Sequence, residues 1–154
     1  MENVWEYPRP PAVDRSPRRV RIEFGGTVIV DSTGALRVLE TSHPPTIYVP
    51  RDDVAPGVLR DAPGRSTLCE WKGRASYLDV VVGDRVAPAA AWTYRSPSPG
   101  YELLQDHVSF YPGRMDSCRL DDEVVRPQPG SFYGGWLTDD IVGAVKGGPG
   151  TTGW

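Results

Sequence analysis

Apolar and polar positions alternate with a period of two along much of the chain, which is the pattern of half-buried β-strands. Val20, Ile22 and Phe24 alternate with charged residues, and the Gly25-Gly26 pair that follows permits a tight hairpin turn. The same alternation, punctuated by glycine and proline, predicts further strands along the chain. They lie at residues 28–30, 35–40, 46–49, 66–69, 75–82, 89–94, 107–111, 115–120 and 123–126.

Helical segments are predicted to be few and short. Thr138 is a good N-cap, and Asp139 and Asp140 suit the positive end of a helix, so residues 139–145 are predicted to form one short C-terminal helix. Single helical turns are predicted near Asp53 and Leu103, and residues 55–64 are predicted to be loop. Many short strands separated by turns predict an antiparallel, sandwich-like or barrel-like all-β fold.

Composition narrows the class of protein. A chain of 154 residues buries enough surface for one core and too little for two. The 17 glycines and 16 prolines exclude a helical bundle, while the 39% hydrophobic share excludes a wholly disordered chain. The formal net charge of -3 points to neither nucleic acid nor an anionic membrane as a partner.

The two ends of the chain differ from its middle. Residues 1–17 are rich in proline and are predicted to form an extended arm, in which Trp5 and Tyr7 indicate docking on the domain or on a neighbouring subunit. A homodimer is therefore left open. Residues 18–126 form the predicted β domain, and residues 127–154 a glycine-rich tail, with the short helix, packed on that domain.

The expected location is the cytoplasm, because the chain shows no signal-peptide pattern and no apolar run long enough to span a bilayer. Cys69 and Cys118 are accordingly predicted to be free thiols. The basic residues are almost all arginine, which favours a GC-rich bacterial genome.

One of only two lysines in the chain, Lys72, stands beside Trp71 at a predicted strand-to-turn junction. In a functional interpretation, Lys72 is a pocket cation that binds an anion or a carbonyl group, and Trp71 forms a wall. Its ammonium group should then lie inside the pocket, near an aromatic face. In the alternative interpretation, Trp71 is an ordinary core residue and Lys72 is a solvated turn residue.

Trp92 and Tyr94 lie on one face of a predicted strand, because alternate residues of a strand share a face. Together with Trp71, Tyr77, Phe110 and Tyr111 they would form an aromatic cage for a flat ring or a cationic head group. The alternative is a plain aromatic core.

Other candidate chemistry is sparse. Cys69, Cys118, His43 and His107 lack the spacing of zinc ligands, so no metal and no other cofactor is predicted. Cys69 would be a nucleophile only with a histidine nearby. Lys146 and the glycines after it do not match a phosphate-binding loop, in which the glycines precede the lysine and a helix follows.

Four motifs, taken in chain order, resemble a known family. They are ETSHPPTIYVP at 40–50, CEWKGRASY at 69–77, AAWTY at 90–94 and HVSFY at 107–111. The combination is similar to domain-of-unknown-function family 427, which also carries a nucleotidyltransferase label. The resemblance covers residues 18–126 and implies a β-tent fold, in which two antiparallel sheets of short strands meet at an angle. Nucleotidyl transfer usually relies on Mg²⁺-binding carboxylates and a phosphate-binding loop, and the sequence shows neither.

These observations predict an all-β, β-tent-like domain that binds a small molecule in an aromatic pocket containing a lysine. The alternative function is enzymatic, with Cys69 or Lys72 as the nucleophile, or with nucleotidyl transfer as the label implies. Binding is favoured because aromatic rings and one cation suffice for recognition, whereas catalysis needs a positioned base. The predicted ligand-binding residues are Tyr48, Cys69, Trp71, Lys72, Tyr77, Trp92 and Tyr94.

Overall fold

Short strands make up most of the secondary structure. The computed structural model describes residues 1–69, 71–130, 132–147 and 151, apart from the side chain of residue 65. The strands are β1 Glu2–Asn3, β2 Ala12–Arg15, β3 Val20–Phe24, β4 Thr27–Ser32, β5 Leu36–Leu39, β6 Thr46–Pro50, β7 Leu59–Cys69, β8 Gly73–Val82, β9 Arg85–Thr93, β10 His107–Phe110, β11 Ser117–Leu120, β12 Glu123–Val124, β13 Arg126–Pro127, β14 Trp136–Leu137 and β15 Ile141–Val142. Single 3-10 turns lie at Val4–Glu6, Arg51–Asp53, Glu102–Leu104 and Pro112–Arg114.

Two antiparallel sheets dominate the fold. The larger has seven strands in the order β2-β5-β6-β10-β9-β8-β7, and the smaller has four in the order β12-β11-β3-β4. The all-β, antiparallel architecture predicted from the sequence is confirmed. The angle between the sheets that defines a β-tent stays a prediction.

The main core lies between the two large sheets. Val20, Ile22 and Phe24 of β3 face it, as their alternation predicts, and they are at most 2% exposed. The seven-stranded sheet contributes side chains such as Ile47 and Leu78 to the same cluster. Because alternate residues of a strand point to opposite faces, the residues between them lie on the other side of that sheet.

A second cluster, rich in aromatic residues, occupies that opposite face of the seven-stranded sheet. Tyr48 lies between the core residues Ile47 and Val49 of β6, and Trp92 follows the core residue Ala91 of β9. The period-two pattern therefore produces two apolar faces on one sheet, of which only one is covered by the four-stranded sheet.

The predicted C-terminal helix over residues 139–145 is wrong. Ile141 and Val142 instead form β15, which pairs in parallel with β1 of the N-terminal arm. Two β-branched residues favour a strand, and Gly143, at a φ of 104°, would interrupt a helix that is already too short to be stable alone. The Thr138 hydroxyl donates to the Asp140 side chain, and the Asp140 carbonyl accepts from Glu2 N–H at 2.8 Å.

The expected loop over residues 55–64 is partly strand, because β7 begins at Leu59 and is bulged between Asp61 and Ser66. Of the N-terminal arm, residues 12–15 form an edge strand of the seven-stranded sheet. Residues 148–150 and 152–154 of the predicted tail lie outside the described residues. In the part of the chain that is described, no helix is long and apolar enough to cross a membrane.

Candidate functional site

A cavity of about 250 Å³ lies over the aromatic face of the seven-stranded sheet. We call it the inner cavity. Strands β5, β6, β8 and β9 form its floor, and the β7–β8 hairpin forms one side. Residues 127–130 and 132–147, here called the cover segment, border it from above. Its lining residues are Val38, Glu40, His43, Thr46, Tyr48, Thr67, Leu68, Cys69, Lys72, Ala75, Tyr77, Trp92, Tyr94, Tyr111, Gln128, Phe132, Tyr133, Gly134 and Lys146.

The floor is built on a hydrogen-bonded aromatic cluster. The indole Nε1–H of Trp92 donates to the hydroxyl of Tyr48 at 3.1 Å, and the two rings meet edge to face at 6.2 Å. The Tyr94 ring lies 6.2 Å from Tyr48, and Tyr111 packs 4.6 Å from Trp92. Burial raises the pKa of both Tyr48 and Tyr94, so both are neutral phenols at physiological pH.

Lys72 reaches the cavity from the turn between β7 and β8. Gly73, at a φ of 111°, makes this turn, and Ser98 N–H donates to the Lys72 carbonyl at 2.9 Å to hold it in place. The ammonium nitrogen lies 6.0 Å from the centroid of the Tyr94 ring, close enough for a cation–π contact.

Lys72 is charged at neutral pH despite its burial. Burial on its own would lower its pKa, but the negative charges that Tyr48 and Cys69 carry when they are ionised, together with the carboxylate of Glu40, outweigh that effect and hold the pKa above its ordinary value. Cys69 lies near enough to Lys72 to contribute to this rise, and both side chains line the cavity.

His43 is held neutral on the other side of the cavity. Burial, followed by the positive charges of Lys146 and Lys72, lowers its pKa to about 4. The Gln128 amide nitrogen lies 3.1 Å from His43 Nδ1 and 2.7 Å from the Lys146 carbonyl, while its oxygen accepts from Gly135 N–H at 3.1 Å. Since the Gln128 nitrogen can only donate, His43 Nδ1 accepts and its proton is on Nε2.

The structure brings six of the seven predicted site residues together around the inner cavity, and Trp71 is the exception. Trp71 packs half-buried at the edge of the aromatic cluster and lies outside the lining. The six that line the cavity are Tyr48, Cys69, Lys72, Tyr77, Trp92 and Tyr94.

Sequence reasoning missed several lining residues, chiefly His43, Gln128 and Lys146. Lys146 was set aside once its glycines failed to match a phosphate loop, although it is the only other lysine of a chain that otherwise uses arginine. The scarcity of lysine could have pointed to Lys146, because the two lysines of the chain are Lys72 and Lys146 and both line the cavity. Gln128 carried no signal, since its role depends on a fold that brings residues 43, 135 and 146 together.

The two cysteines and two histidines do not converge. Cys69 and His43 line the inner cavity, whereas Cys118 faces the main core, where burial raises the pKa of its thiol. Both cysteines are free. Among the described residues, no group of three or more His, Cys, Asp or Glu side chains could hold a metal ion.

A wider, more open groove of about 840 Å³ adjoins the inner cavity. The two share Thr67, Tyr77, Tyr111, Gln128, Phe132 and Tyr133 in their linings. At this junction the Tyr111 hydroxyl donates to the Phe132 carbonyl at 3.0 Å, and the Tyr77 and Thr67 hydroxyls are 3.2 Å apart. The outer groove is thus an approach to the inner cavity from solvent.

Comparison with known proteins places the chain in a family. The model of a domain of unknown function (DUF427), which carries the label NTP_transf_9, matches residues 12–121. This is more than two thirds of the chain, so the protein belongs to the DUF427 family, as its four motifs predicted. The floor of the inner cavity and Lys72 lie within the matched range, and the cover segment lies beyond it. No curated protein matches the chain.

Proposed function

We propose that this member of the DUF427 family binds a small molecule in the inner cavity. The observation that carries the proposal is the placement of a charged lysine over a hydrogen-bonded aromatic floor inside a partly enclosed space of about 250 Å³. Burying an ammonium group away from water costs free energy that a hydrophobic side chain would not cost. Such an arrangement, at the centre of a concave aromatic site, is typical of ligand recognition.

The titration of the cavity groups supports binding over general acid–base chemistry. A general base works best when its pKa lies near the operating pH, and the pKa of His43 is about 4. A lysine nucleophile must be an uncharged amine, whereas the pKa of Lys72 lies above its ordinary value. Lys72 is therefore suited to attract an anion or to hold a carbonyl oxygen.

A thermal-shift screen of metabolites tests the proposal. A ligand at 100 times its Kd stabilises the fold by about 2.7 kcal/mol, which raises the Tm of a chain of this size by roughly 5–10 °C. Lys72→Met retains the packing of the stem and removes the charge, so it should keep the fold and weaken binding. Ala75→Leu, which fills the cavity floor, should abolish binding.

Arg15→Met is the matched control, because Arg15 is an exposed cation of β2 outside the cavity lining. A ligand whose affinity is the same in the wild type, Lys72→Met and Ala75→Leu binds elsewhere and contradicts the proposal. A screen in which no compound raises the Tm also contradicts it.

A second candidate function, an enzyme with Cys69 as its nucleophile, is favoured by the position of Cys69 beside Lys72 in the lining of the inner cavity. A neighbouring cation stabilises a thiolate. Alkylation by iodoacetamide at pH 7 should then be faster for Cys69 than for a free cysteine and slower in Lys72→Met. Cys118 is only 2% exposed and serves as the unreactive internal control. Alkylation no faster than that of a free cysteine would remove this candidate.

Nucleotidyl transfer, named by the family label, has less support. That chemistry relies on carboxylates that hold Mg²⁺, and the described residues contain no cluster suited to a metal ion. In the described part of the chain, the carboxylate that lines the inner cavity is that of Glu40.

A cytoplasmic location, a bacterial origin and a homodimer stay predictions from the sequence. A small-molecule partner, rather than nucleic acid, is supported by the net charge of -3 and by the enclosed cavity. Light scattering of the purified protein measures its mass directly and distinguishes a monomer of 16.9 kDa from a dimer.

A further inference from the structure

The inner cavity contains both lysines of the chain. Lys72 and Lys146 each line it, and the ammonium group of Lys146 lies 5.5 Å from the centroid of the Tyr133 ring. Glu40 supplies one carboxylate to the lining, and His43 is uncharged. Within the part of the chain that the structure describes, no carboxylate lies within ion-pair distance of Lys72. Among the described lining residues, Lys72 is therefore a cation that no carboxylate side chain neutralises by an ion pair.

Lys72 and the phenols that line the cavity with it can donate hydrogen bonds to oxygen atoms of a ligand. An ammonium group has three N–H donors and no acceptor, and a neutral phenol can donate as well. Tyr48 lines the cavity with Lys72 as a neutral phenol that accepts from Trp92, so its own O–H can join the ammonium N–H groups as a donor to a single anionic group. A carboxylate, which has two oxygens and accepts hydrogen bonds only, satisfies these donors.

The remaining walls fit an apolar ring. Trp92, Tyr111 and Tyr133 present aromatic surfaces to the cavity, and aromatic pairs prefer offset or edge-to-face contacts of the kind already present between Trp92 and Tyr48. A cavity of about 150 Å³ suffices for benzene. The inner cavity, at about 250 Å³, therefore has room for one ring with a carboxylate, and the outer groove has room for substituents.

We infer that the inner cavity takes a small ring-bearing carboxylate, with the carboxylate against Lys72 and the ring against the aromatic floor. This inference rests on the proposed small-molecule function and specifies its ligand class. Charge and ring are both required: the cation selects against neutral analogues, and the aromatic walls select against anions without a ring. Lys146 supports the selection from the side of the cover segment by adding a second positive charge.

A titration with three probes tests each requirement separately. Benzoate carries both the ring and the charge, benzamide keeps the ring and the shape without the charge, and acetate keeps the charge without the ring. Binding is followed by NMR through the indole N–H signal of Trp92, which lies in the cavity floor and thereby also locates the probe. The proteins are the wild type, Lys72→Met and the control Arg15→Met.

The expected result is that benzoate binds the wild type and Arg15→Met about tenfold or more tightly than benzamide or acetate does, as a charge-assisted hydrogen bond allows. Lys72→Met should lower the affinity for benzoate to that for benzamide and leave the affinity for benzamide unchanged. If Lys72→Met does not fold, the comparison of the three probes on the wild type still decides.

Equal binding of benzamide and benzoate shows that the charge is not recognised, and equal binding of acetate shows that the ring is not recognised. Either result, or no binding of benzoate at all, overturns the inference. The metabolite screen then distinguishes failure of the inferred ligand class from failure of the proposed function. If the screen finds a cavity ligand of another class, the proposed function stands and only the ligand class fails; if it finds none, both fail.

Discussion

At the scale of single residues, one histidine of the inner cavity is kept uncharged beside two lysines. His43 packs against Tyr133 at 5.0 Å, accepts from Gln128 and lies near both lysines, and its pKa is lowered to about 4, first by burial and then by those lysines. A third positive charge in this space would be repelled by the other two. The neutral imidazole is therefore a consequence first of its burial and then of the positive charges of Lys146 and Lys72.

His43 should make the protein less stable in mild acid. In the unfolded chain its pKa returns to about 6.5, so between pH 6.5 and 4 the unfolded state binds a proton that the folded state excludes. The free energy of unfolding therefore falls as the pH falls through this window, by at most about 3 kcal/mol from this group. Urea unfolding of the wild type and His43→Asn at several pH values measures the effect.

The difference in unfolding free energy between the two proteins should be constant above pH 7 and should shift in favour of His43→Asn below pH 6.5. This comparison cancels the contribution of the carboxylates, which also lose their ion pairs in acid. Identical pH slopes for the two proteins would show that His43 is not the group responsible.

The sequence predicted the aromatic and cationic residues of the site better than it predicted their polar partners. Tyr48, Lys72 and Trp92 stand out because large aromatics and rare lysines on predicted strands and turns are visible one residue at a time. His43 and Gln128 do not, since their importance comes from a hydrogen bond between positions 85 residues apart in the chain. Trp71 lies at the edge of the aromatic cluster and outside the cavity lining, a placement that the alternation of the flanking strands does not determine.

At the scale of elements, the cover segment makes a cavity of what would otherwise be an open face of the seven-stranded sheet. It is held at three places: β13 pairs with β14, the Trp136 backbone N–H donates to the Pro45 carbonyl at 2.8 Å, and β15 pairs with β1. Its closeness to the floor is set by Gly134, which lies directly over the indole of Trp92.

Gly134→Ala should lift the cover segment. A Cβ at this position would lie well inside van der Waals contact of the Trp92 ring, which is too rigid and too buried to move aside. We expect a loss of about 1–3 kcal/mol in the free energy of unfolding and a change in tryptophan fluorescence, since the overlap must be relieved by displacement. Chemical denaturation followed by fluorescence measures both.

Gly113→Ala is the matched control. A Cβ at Gly113 would make an ordinary contact with Pro127 at 3.5 Å, and neither glycine has the positive φ that disfavours other residues. The control should stay within about 0.5 kcal/mol of the wild type. If Gly134→Ala is equally silent, the cover segment does not lie tightly against Trp92.

Strand prediction succeeded where a buried face imposes period two and failed where tertiary pairing decides. Strand β3 shows this most clearly, because its buried residues alternate with more exposed ones. The prediction of a helix at residues 139–145 was wrong because Ile141 and Val142 pair with β1. This pairing joins distant parts of the chain, so the local sequence pattern does not indicate it. The early start of β7 was missed for the same reason, since residues 59–61 gain their partners from β8.

At the scale of the whole molecule, the seven-stranded sheet carries the main core on one face and the proposed binding site on the other. One face packs on the four-stranded sheet and forms the main core, while the other carries the aromatic cluster and the inner cavity. A protein built in this way can change its ligand-binding face without rebuilding its core, because the two sets of side chains alternate along the same strands and do not touch across the sheet.

Two neighbouring residues of β8 test this division. Leu78 is fully buried in the main core, and Leu78→Ala should lower the free energy of unfolding by about 2–5 kcal/mol through loss of burial and the cavity that is left.

Tyr77 faces the inner cavity, where its hydroxyl meets that of Thr67 at 3.2 Å. Tyr77→Phe keeps the ring and removes the hydroxyl, with its contacts to Thr67 and Tyr111, so its effect on stability should stay within about 1 kcal/mol. Its effect should appear instead in the affinity for whatever ligand the metabolite screen identifies. The folded molecules of Leu78→Ala should bind that ligand with the affinity of the wild type. Urea unfolding and ligand titration of both variants give the four values required. Comparable losses of stability from the two substitutions, or a change in affinity confined to Leu78→Ala, would mean that the two faces of the sheet are not separate in function.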